Sequence, residues 1–190
     1  MNLLDLDKRW QRFNDANREC PCCGQTYGGV FDIGFDHPLT WPHENRADSG
    51  QEVIEKDDDK LSADLCRVGD DRFIRCIVAL PIRGSDETFA FGAWGSVHPD
   101  HFAAYVQAWN SGDWSGFEGC FSWLSNDLPG FESEEPIACN LWIGEPGERP
   151  ALQAQGGPLK EAQENGISFD DLLDIYAATG NDIRAHLTSD

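Results

Sequence analysis

The chain of 190 residues carries 34 Asp and Glu against 14 Lys and Arg, which gives a formal net charge of −20. This balance argues against a nucleic-acid-binding protein, since phosphate recognition needs basic patches, and it disfavours an anionic membrane surface for the same reason. An aromatic content of 11% is too high for a disordered acidic chain, so we expect a globular fold with a sizeable core.

The N-terminal residues carry a helical pattern. Leu3, Leu6 and Trp10 recur at spacings of three and four, which predicts an amphipathic helix within residues 1–19. The remainder, residues 20–190, is predicted to form a single α+β domain. Within it, the polar stretch over residues 36–59 is predicted to be a long loop.

Strand patterns fill the middle of the chain. The strongest covers residues 72–80, where apolar side chains alternate from Ile74 to Leu80. Turn residues separate it from a second pattern over residues 88–97, so the two predict a long antiparallel hairpin. Weaker strand patterns occupy residues 27–35, 61–68, 120–125 and 137–143.

Helix signals flank these strands and complete the fold class. Residues 99–110 begin with Pro99, residues 158–165 stop at Gly166, and Ser168 is predicted to cap the last helix. The sum is an α+β fold with an antiparallel sheet of about five or six strands and helices packed on one side and at both ends.

Several short motifs occur in an order that resembles a known family. They are Cys20-x-x-Cys23-Gly24, Ser62-Ala63-Asp64-Leu65-Cys66, Arg72-Phe73-Ile74-Arg75 leading to Leu80-Pro81-Ile82, Phe89-Ala90-Phe91-Gly92-Ala93-Trp94-Gly95-Ser96, Phe121-Ser122-Trp123-Leu124, Leu128-Pro129-Gly130-Phe131, Arg149-Pro150 and Gly166-Ile167. Together they resemble the bacterial family called domain of unknown function 2199, over residues 20–186. The family has no established activity, so the resemblance implies none. Its members often have a histidine where this chain has Tyr27, and Asp-His where this chain has Gly156-Gly157.

The cysteines suggest a metal site. Cys20 and Cys23 have the spacing of half a zinc site, and Gly24 permits the close turn that such a site needs. A structural zinc takes four ligands, and we include Cys66 as a third. The ligands still needed would come from Cys22, His37, His43 or His186, and the alternative is a cluster of free or buried thiols. Cys76 and Cys139 have apolar neighbours and are predicted to lie in the core.

The number of cysteines and the absence of export signals indicate the compartment. The chain has seven cysteines, an odd number, and it shows neither a secretory signal pattern nor an apolar run long enough to span a membrane. A reducing, cytoplasmic setting is therefore expected.

Charge and tryptophan are concentrated in residues 84–148. This stretch holds eleven carboxylates and five of the seven tryptophans, and it contains no Lys and no Arg. Such a surface favours a basic protein partner, because opposite potentials steer association and tryptophans anchor interfaces. The predicted partner-binding residues are Asp100, Trp109, Asp113, Trp114, Glu118, Glu132, Glu134 and Glu135.

Three functions follow, in decreasing order of preference. The first is an acidic cytoplasmic protein-binding module, such as an inhibitor or immunity-type protein that neutralises a basic bacterial toxin. The second is a zinc-stabilised domain that uses Cys20 and Cys23. The third is a thiol- or histidine-dependent enzyme built on His98, His101 or Cys23. No nucleophile elbow, phosphate loop or dinucleotide fingerprint is present, so we expect a non-enzymatic protein.

Overall fold

A computed structural model describes residues 2–145 and 147–188 and has a mixed α+β fold. After a 3-10 turn at Leu3–Leu6, its helices are α1 (Lys8–Phe13), α2 (Arg46–Ser49), α3 (Pro99–Ser111), α4 (Gly157–Asn165), α5 (Phe169–Ala178) and α6 (Arg184–Thr188). Its strands are β1 (Ile33–Gly34), β2 (Ile54–Lys56), β3 (Asp59–Leu61), β4 (Leu65–Val68), β5 (Asp71–Pro81), β6 (Thr88–Val97), β7 (Gly119–Leu124), β8 (Ala138–Trp142) and β9 (Ala151–Ala154). These strands join one sheet in the order β1-β6-β7-β8-β9-β5-β4-β3-β2.

The sheet is larger and less regular than the five or six antiparallel strands predicted from the sequence. Within the described residues it has nine strands, and two of its pairings are parallel, β1 with β6 and β5 with β9. The predicted hairpin is confirmed, since β5 and β6 pair antiparallel from Arg72 opposite Val97 to Pro81 opposite Thr88. The prediction missed β9, and the predicted loop over residues 36–59 contains α2 and β2, because elements of three or four residues carry too short a pattern to be recognised.

Five of the strands close into a barrel. β5 pairs with β6, β6 with β7, β7 with β8, and β8 with β9, which returns to β5 where Ile77 lies opposite Ala151. Cys76, Leu141 and Leu152 belong to the buried apolar cluster that fills this barrel. Side chains alternate along a strand, so the residues next to these three in the sequence point outward and form the outer wall of the barrel.

A second apolar cluster covers one part of the outer wall. It consists of Trp41, Ile54, Leu61, Cys66, Phe73 and Trp94. Trp94 lies on the outer side of β6 and is fully buried there, with its indole N–H donating to the Phe35 carbonyl at 3.0 Å. The cover is supplied by β2, β3 and β4 and by the loop that carries Trp41.

The predicted N-terminal helix is divided in two. The 3-10 turn ends before Asp7, whose extended backbone interrupts the helical path. The Asp7 carboxylate then accepts a hydrogen bond from the Arg9 amide at 2.8 Å and caps α1. An N-cap of this kind satisfies a backbone donor that the first helical turn leaves free, so a new helix starts here.

The two ends of the described chain pack against each other. Trp10 and Phe13 of α1 are buried, and both rings contact Phe169 at the start of α5, with centroid distances of 5.0 and 5.7 Å. The predicted cap at Ser168 is confirmed at the start of α5, where Ser168 and Asp171 form a capping box. This packing holds the cysteines that follow α1 close to the C-terminal helices.

Candidate metal centre

A tight knuckle follows α1 and displays three cysteines, Cys20, Cys22 and Cys23. The Cys20 amide donates to the Gln25 carbonyl and the Gly24 amide donates to the Cys20 carbonyl, both at 2.8 Å. Gly24 ends the turn with φ at 71°, a left-handed value that glycine adopts without strain. The turn expected from the Cys-Pro-Cys-Cys-Gly sequence therefore forms, and it gathers the three thiols on one side.

His186 of α6 meets this knuckle from the other end of the chain. Its Nδ1 lies 3.1 Å from the Sγ of Cys20, 3.1 Å from that of Cys22 and 3.5 Å from that of Cys23. The Sγ atoms of Cys20 and Cys22 are 3.0 Å apart. The four donor atoms all lie within 4.8 Å of one another, close enough for a single metal ion to bind them together.

Two arginines hold α6 in position at the knuckle. Arg12 of α1 donates to the Leu187 carbonyl at 2.8 Å, and Arg18 donates to the His186 carbonyl at 3.0 Å. The Tyr27 ring lies beside the imidazole, with centroids 5.5 Å apart. A helix of five residues is too short to be stable alone, so the place of His186 depends on these tertiary contacts.

The local hydrogen bonds set the acidity of the thiols. The Cys22 thiol lowers the pKa of Cys20 to about 6 by hydrogen bonding to its sulfur, and the same contact raises the pKa of Cys22 to about 11. The pair thus shares a proton that a metal ion would displace, because metals bind thiolates and not thiols. Cys22 and Cys23 are exposed, so an ion can reach the cluster from solvent.

Cys66, predicted from the sequence to be a third ligand, is not part of this centre. It lies instead in the second apolar cluster, fully enclosed by side chains such as Trp41 and Phe73. Burial raises the pKa of its thiol to about 12, and an apolar site of this kind opposes the thiolate that a metal requires. Cys76 and Cys139 are buried in the barrel, as predicted.

His37 and His43, which were also candidate ligands, have neighbours away from the knuckle. The Nδ1 of His37 lies 2.9 Å from the Pro38 carbonyl, and the Nε2 of His43 lies 2.9 Å from the Asp59 carboxylate. The ligand set that the structure brings together is therefore Cys20, Cys22, Cys23 and His186. Cys22 could have been preferred from its place in the knuckle, whereas His186 is 166 positions from Cys20 and only tertiary packing reveals it.

The residues of the enzyme hypothesis lie at the start of α3. His98 is the N-cap of that helix, and its Nδ1 accepts from the Asp100 amide at 3.2 Å. The rings of His98 and His101 are 6.0 Å apart. A capping bond is sufficient to account for His98, and the enzyme hypothesis stays a prediction.

The predicted partner-binding residues are nearly all on the surface. The exposed ones are Asp100, Trp109, Asp113, Glu118, Glu132, Glu134 and Glu135. Trp114 is half-buried, with its ring against Tyr105 at 5.4 Å and Trp109 at 6.4 Å. Their role in binding a basic partner stays a prediction.

Fold and site together define an α+β barrel protein with a candidate metal centre of three cysteines and one histidine. Residues 19–167 match the model of the family described as "uncharacterized protein conserved in bacteria", domain of unknown function 2199, and the chain belongs to this family. The match includes the knuckle cysteines and the barrel, and it ends before α5, so His186 lies beyond it. The resemblance stated from the sequence motifs is thereby confirmed over residues 20–167.

The other comparisons give no match. No curated protein and no solved structure matches the chain. No helix among residues 2–145 and 147–188 combines the length and the apolar character needed to cross a membrane. The inhibitor or immunity hypothesis and the cytoplasmic location therefore stay predictions.

Proposed function

We propose that this chain is a zinc-binding protein in which Cys20, Cys22, Cys23 and His186 hold one Zn²⁺. The observation that carries the proposal is the convergence of four metal-binding atoms within 4.8 Å, three from the N-terminal knuckle and one from the last described helix. Metal binding explains why an imidazole lies against three thiols that the backbone turn has already gathered.

The chemistry of the donor atoms favours zinc over other common ions. Thiolate and imidazole ligands suit Zn²⁺, whereas Mg²⁺ and Ca²⁺ require oxygen ligands. Tetrahedral Zn–S bonds of about 2.3 Å place two sulfurs about 3.8 Å apart. The Sγ atoms of Cys20 and Cys22 are 3.0 Å apart, so the thiols need to separate by less than about 1 Å to reach that geometry.

The ligand set supports a structural role for the metal. Four protein ligands fill a tetrahedral zinc shell and leave no position for a substrate or a reactive water. The ion would instead join the knuckle to α6 and fix two segments that have little regular structure of their own. This is the zinc-stabilised domain of the second sequence-based hypothesis, with Cys22 and His186 completing the site.

The test is the zinc content of protein purified without chelators, with affinity measured by competition against a chromophoric chelator. We expect one zinc per chain. His186→Ala should bind zinc more weakly by about tenfold or more, since even the loss of an outer-shell partner costs that much. His43→Ala is the matched control, because its side chain lies beside Asp59 and not at the knuckle.

Two outcomes would overturn the proposal. One is wild-type protein that contains no zinc and takes up none under reducing conditions. The other is His186→Ala with the same zinc affinity as the wild type. If the intact protein has a mass two hydrogens below that of the fully reduced chain, two thiols have formed a disulfide, and the knuckle is a disulfide-forming site instead.

A further inference from the structure

Three large aromatic side chains share one exposed sheet surface, which we call the aromatic face. They are Phe121 and Trp123 of β7 and Trp142 of β8, which are 44%, 43% and 48% exposed. In the antiparallel register Trp123 lies opposite Ala138, and Trp142 lies opposite Gly119. Side chains of opposed residues point to the same side of a sheet, so the three aromatics share the outer wall of the barrel.

The aromatic face continues over the neighbouring strands. Trp142 lies opposite Ala151 of β9, and Ala151 lies opposite Ile77 of β5. These strands belong to the closed barrel, so the surface presents side chains and not the free backbone of a sheet edge. It is therefore suited to recognise side chains of a partner.

The covered and uncovered parts of the outer wall differ sharply. Trp94 of β6 is fully buried because β2, β3 and β4 and the Trp41 loop lie over it. Within the described residues no element gives Trp123 or Trp142 such cover. Single exposed apolar residues are common on protein surfaces, but several exposed aromatics on one sheet face, with the rings of Phe121 and Trp123 5.0 Å apart, favour an interaction site.

Unpaired carboxylates lie at both ends of the aromatic face. Glu118 precedes β7, Glu145 and Glu148 follow β8, and Glu134 and Glu135 precede β8. All five are exposed, and among the described residues none of them forms an ion pair. Residues 84–148 contain no Lys and no Arg, and the next base, Arg149, is paired with Asp64 at 2.7 Å.

We propose that the aromatic face docks a basic protein segment. Apolar side chains of the segment would contact Phe121, Trp123 and Trp142, and Lys or Arg on either side would pair with the glutamates. A second copy of the chain is a poor occupant, because each copy has a net charge of −20 and the same acidic rim. The aromatic face is independent of the metal centre. It keeps Glu118, Glu134 and Glu135 of the predicted partner residues and takes its aromatic anchors from β7 and β8 instead of Trp109 and Trp114.

The probe for this surface is a labelled synthetic peptide in which lysine and leucine alternate, titrated with the full-length protein by fluorescence anisotropy. We expect Phe121→Ser/Trp123→Ser to bind it more weakly by about tenfold or more, the size of a hot-spot loss. Leu3→Ser/Leu6→Ser is the matched control, because those apolar residues are 79% and 71% exposed in the N-terminal 3-10 turn. Added salt should weaken binding of the wild type and the control alike.

A second peptide of alternating lysine and glycine separates docking from general attraction between opposite charges. Weaker binding of this peptide by the wild type supports the aromatic face. Equal binding of both peptides, equal binding by both double variants, or no binding at all would overturn the proposal. Glu134→Lys/Glu135→Lys, which leaves the aromatics in place, should also lose affinity and provides the test if the serine variant fails to fold.

Sedimentation of the protein without peptide tests whether a second copy of the chain occupies the aromatic face. We expect a monomer across the accessible concentration range for the wild type and for Phe121→Ser/Trp123→Ser. A wild-type dimer that the serine variant disperses would show that the face joins two copies, and the basic-segment proposal would then be wrong.

Discussion

Cys20 and Cys66 are almost equally enclosed, at 2% and 1% exposure, yet their neighbours give them opposite chemistry. Cys20 touches a second thiol and an imidazole, and its pKa falls to about 6. Cys66 packs among aromatic and aliphatic side chains, and its pKa rises to about 12. Burial alone therefore does not decide whether a cysteine is a core residue or a metal ligand; the polarity of the atoms that bury it decides.

The largest expected contrast is in thiol reactivity. In metal-free protein at neutral pH, iodoacetamide should modify the knuckle at the exposed Cys23, and more slowly at Cys22, because the Cys20 sulfur raises the pKa of Cys22 to about 11. Cys66 and Cys76 should react only after unfolding, because burial raises the pKa of each thiol. Peptide mass spectrometry of the alkylated protein measures both groups at once.

Added zinc should protect the knuckle cysteines and leave the interior ones as they were. Fast modification of Cys66 in the folded protein would contradict the expected contrast between the knuckle and the interior cysteines. So would a knuckle that reacts equally with and without zinc.

The next largest effect is the dependence of stability on zinc. A ligand at 1,000 times its dissociation constant stabilises the folded state by about 4 kcal/mol. The melting temperature of the wild type should therefore rise when zinc is added to metal-free protein, and that of Cys23→Ser should rise less. Differential scanning calorimetry with and without zinc gives the difference, and an equal rise in both proteins would contradict the assignment of Cys23.

A smaller effect is expected from the interior cysteine itself. Cys66→Ala removes a packed sulfur from the second apolar cluster and should lower the free energy of unfolding by about 1 to 2 kcal/mol. Its zinc affinity should equal that of the wild type. Urea unfolding of the metal-free proteins measures the first quantity, and a loss of zinc binding in this variant would restore Cys66 to the ligand set.

The smallest effect is a change in acid stability near Cys66. The Gly69 amide, and then His43, hold the pKa of Asp59 below its ordinary value of 3.8 by hydrogen bonding to its carboxylate. A lowered pKa in the folded state stabilises the protein above pH 3.8, and the contribution disappears as the pH falls through the folded pKa. Asp59→Asn should therefore be less stable than the wild type at neutral pH, with the gap closing in acid.

Urea unfolding at a series of pH values tests this expectation. The charge of Asp59 is also a secondary cause of the raised pKa of Cys66, after burial. The variant should for this reason keep an unreactive Cys66. A gap in stability that widens in acid, or a Cys66 that becomes reactive, would show that charge and not burial controls this thiol.

Local patterns predicted the parts of the molecule that local forces determine. The β5–β6 hairpin follows from strict alternation of apolar residues, and the knuckle follows from Cys20 to Gly24. Barrel closure was beyond prediction because β9 is short and returns to β5 through a single parallel pair, Ile77 with Ala151. Sequence patterns do not specify such long-range pairings.

The candidate metal ligands divide in the same way. Cys20 and Cys23 were predicted from their spacing, while His186 reaches them only because α1 and Arg18 position α6. Cys66 was misplaced because its sequence neighbours, the apolar Leu65 and the charged Arg67, do not show which face of the strand is covered. Adjacent side chains of a strand point to opposite faces, and on β4 the side chains of Cys66 and Val68 face the apolar cluster.

Cobalt substitution tests the central claim most directly, because Co²⁺ in a tetrahedral thiolate site gives intense visible absorption and a thiolate-to-metal charge-transfer band. Metal-free wild type and Cys66→Ala should each bind one Co²⁺ with both features, and Cys23→Ser should lose or weaken them. A wild-type spectrum with only the weak absorption of six-coordinate cobalt would contradict the account. An intact spectrum in Cys23→Ser together with a lost one in Cys66→Ala would contradict it as well.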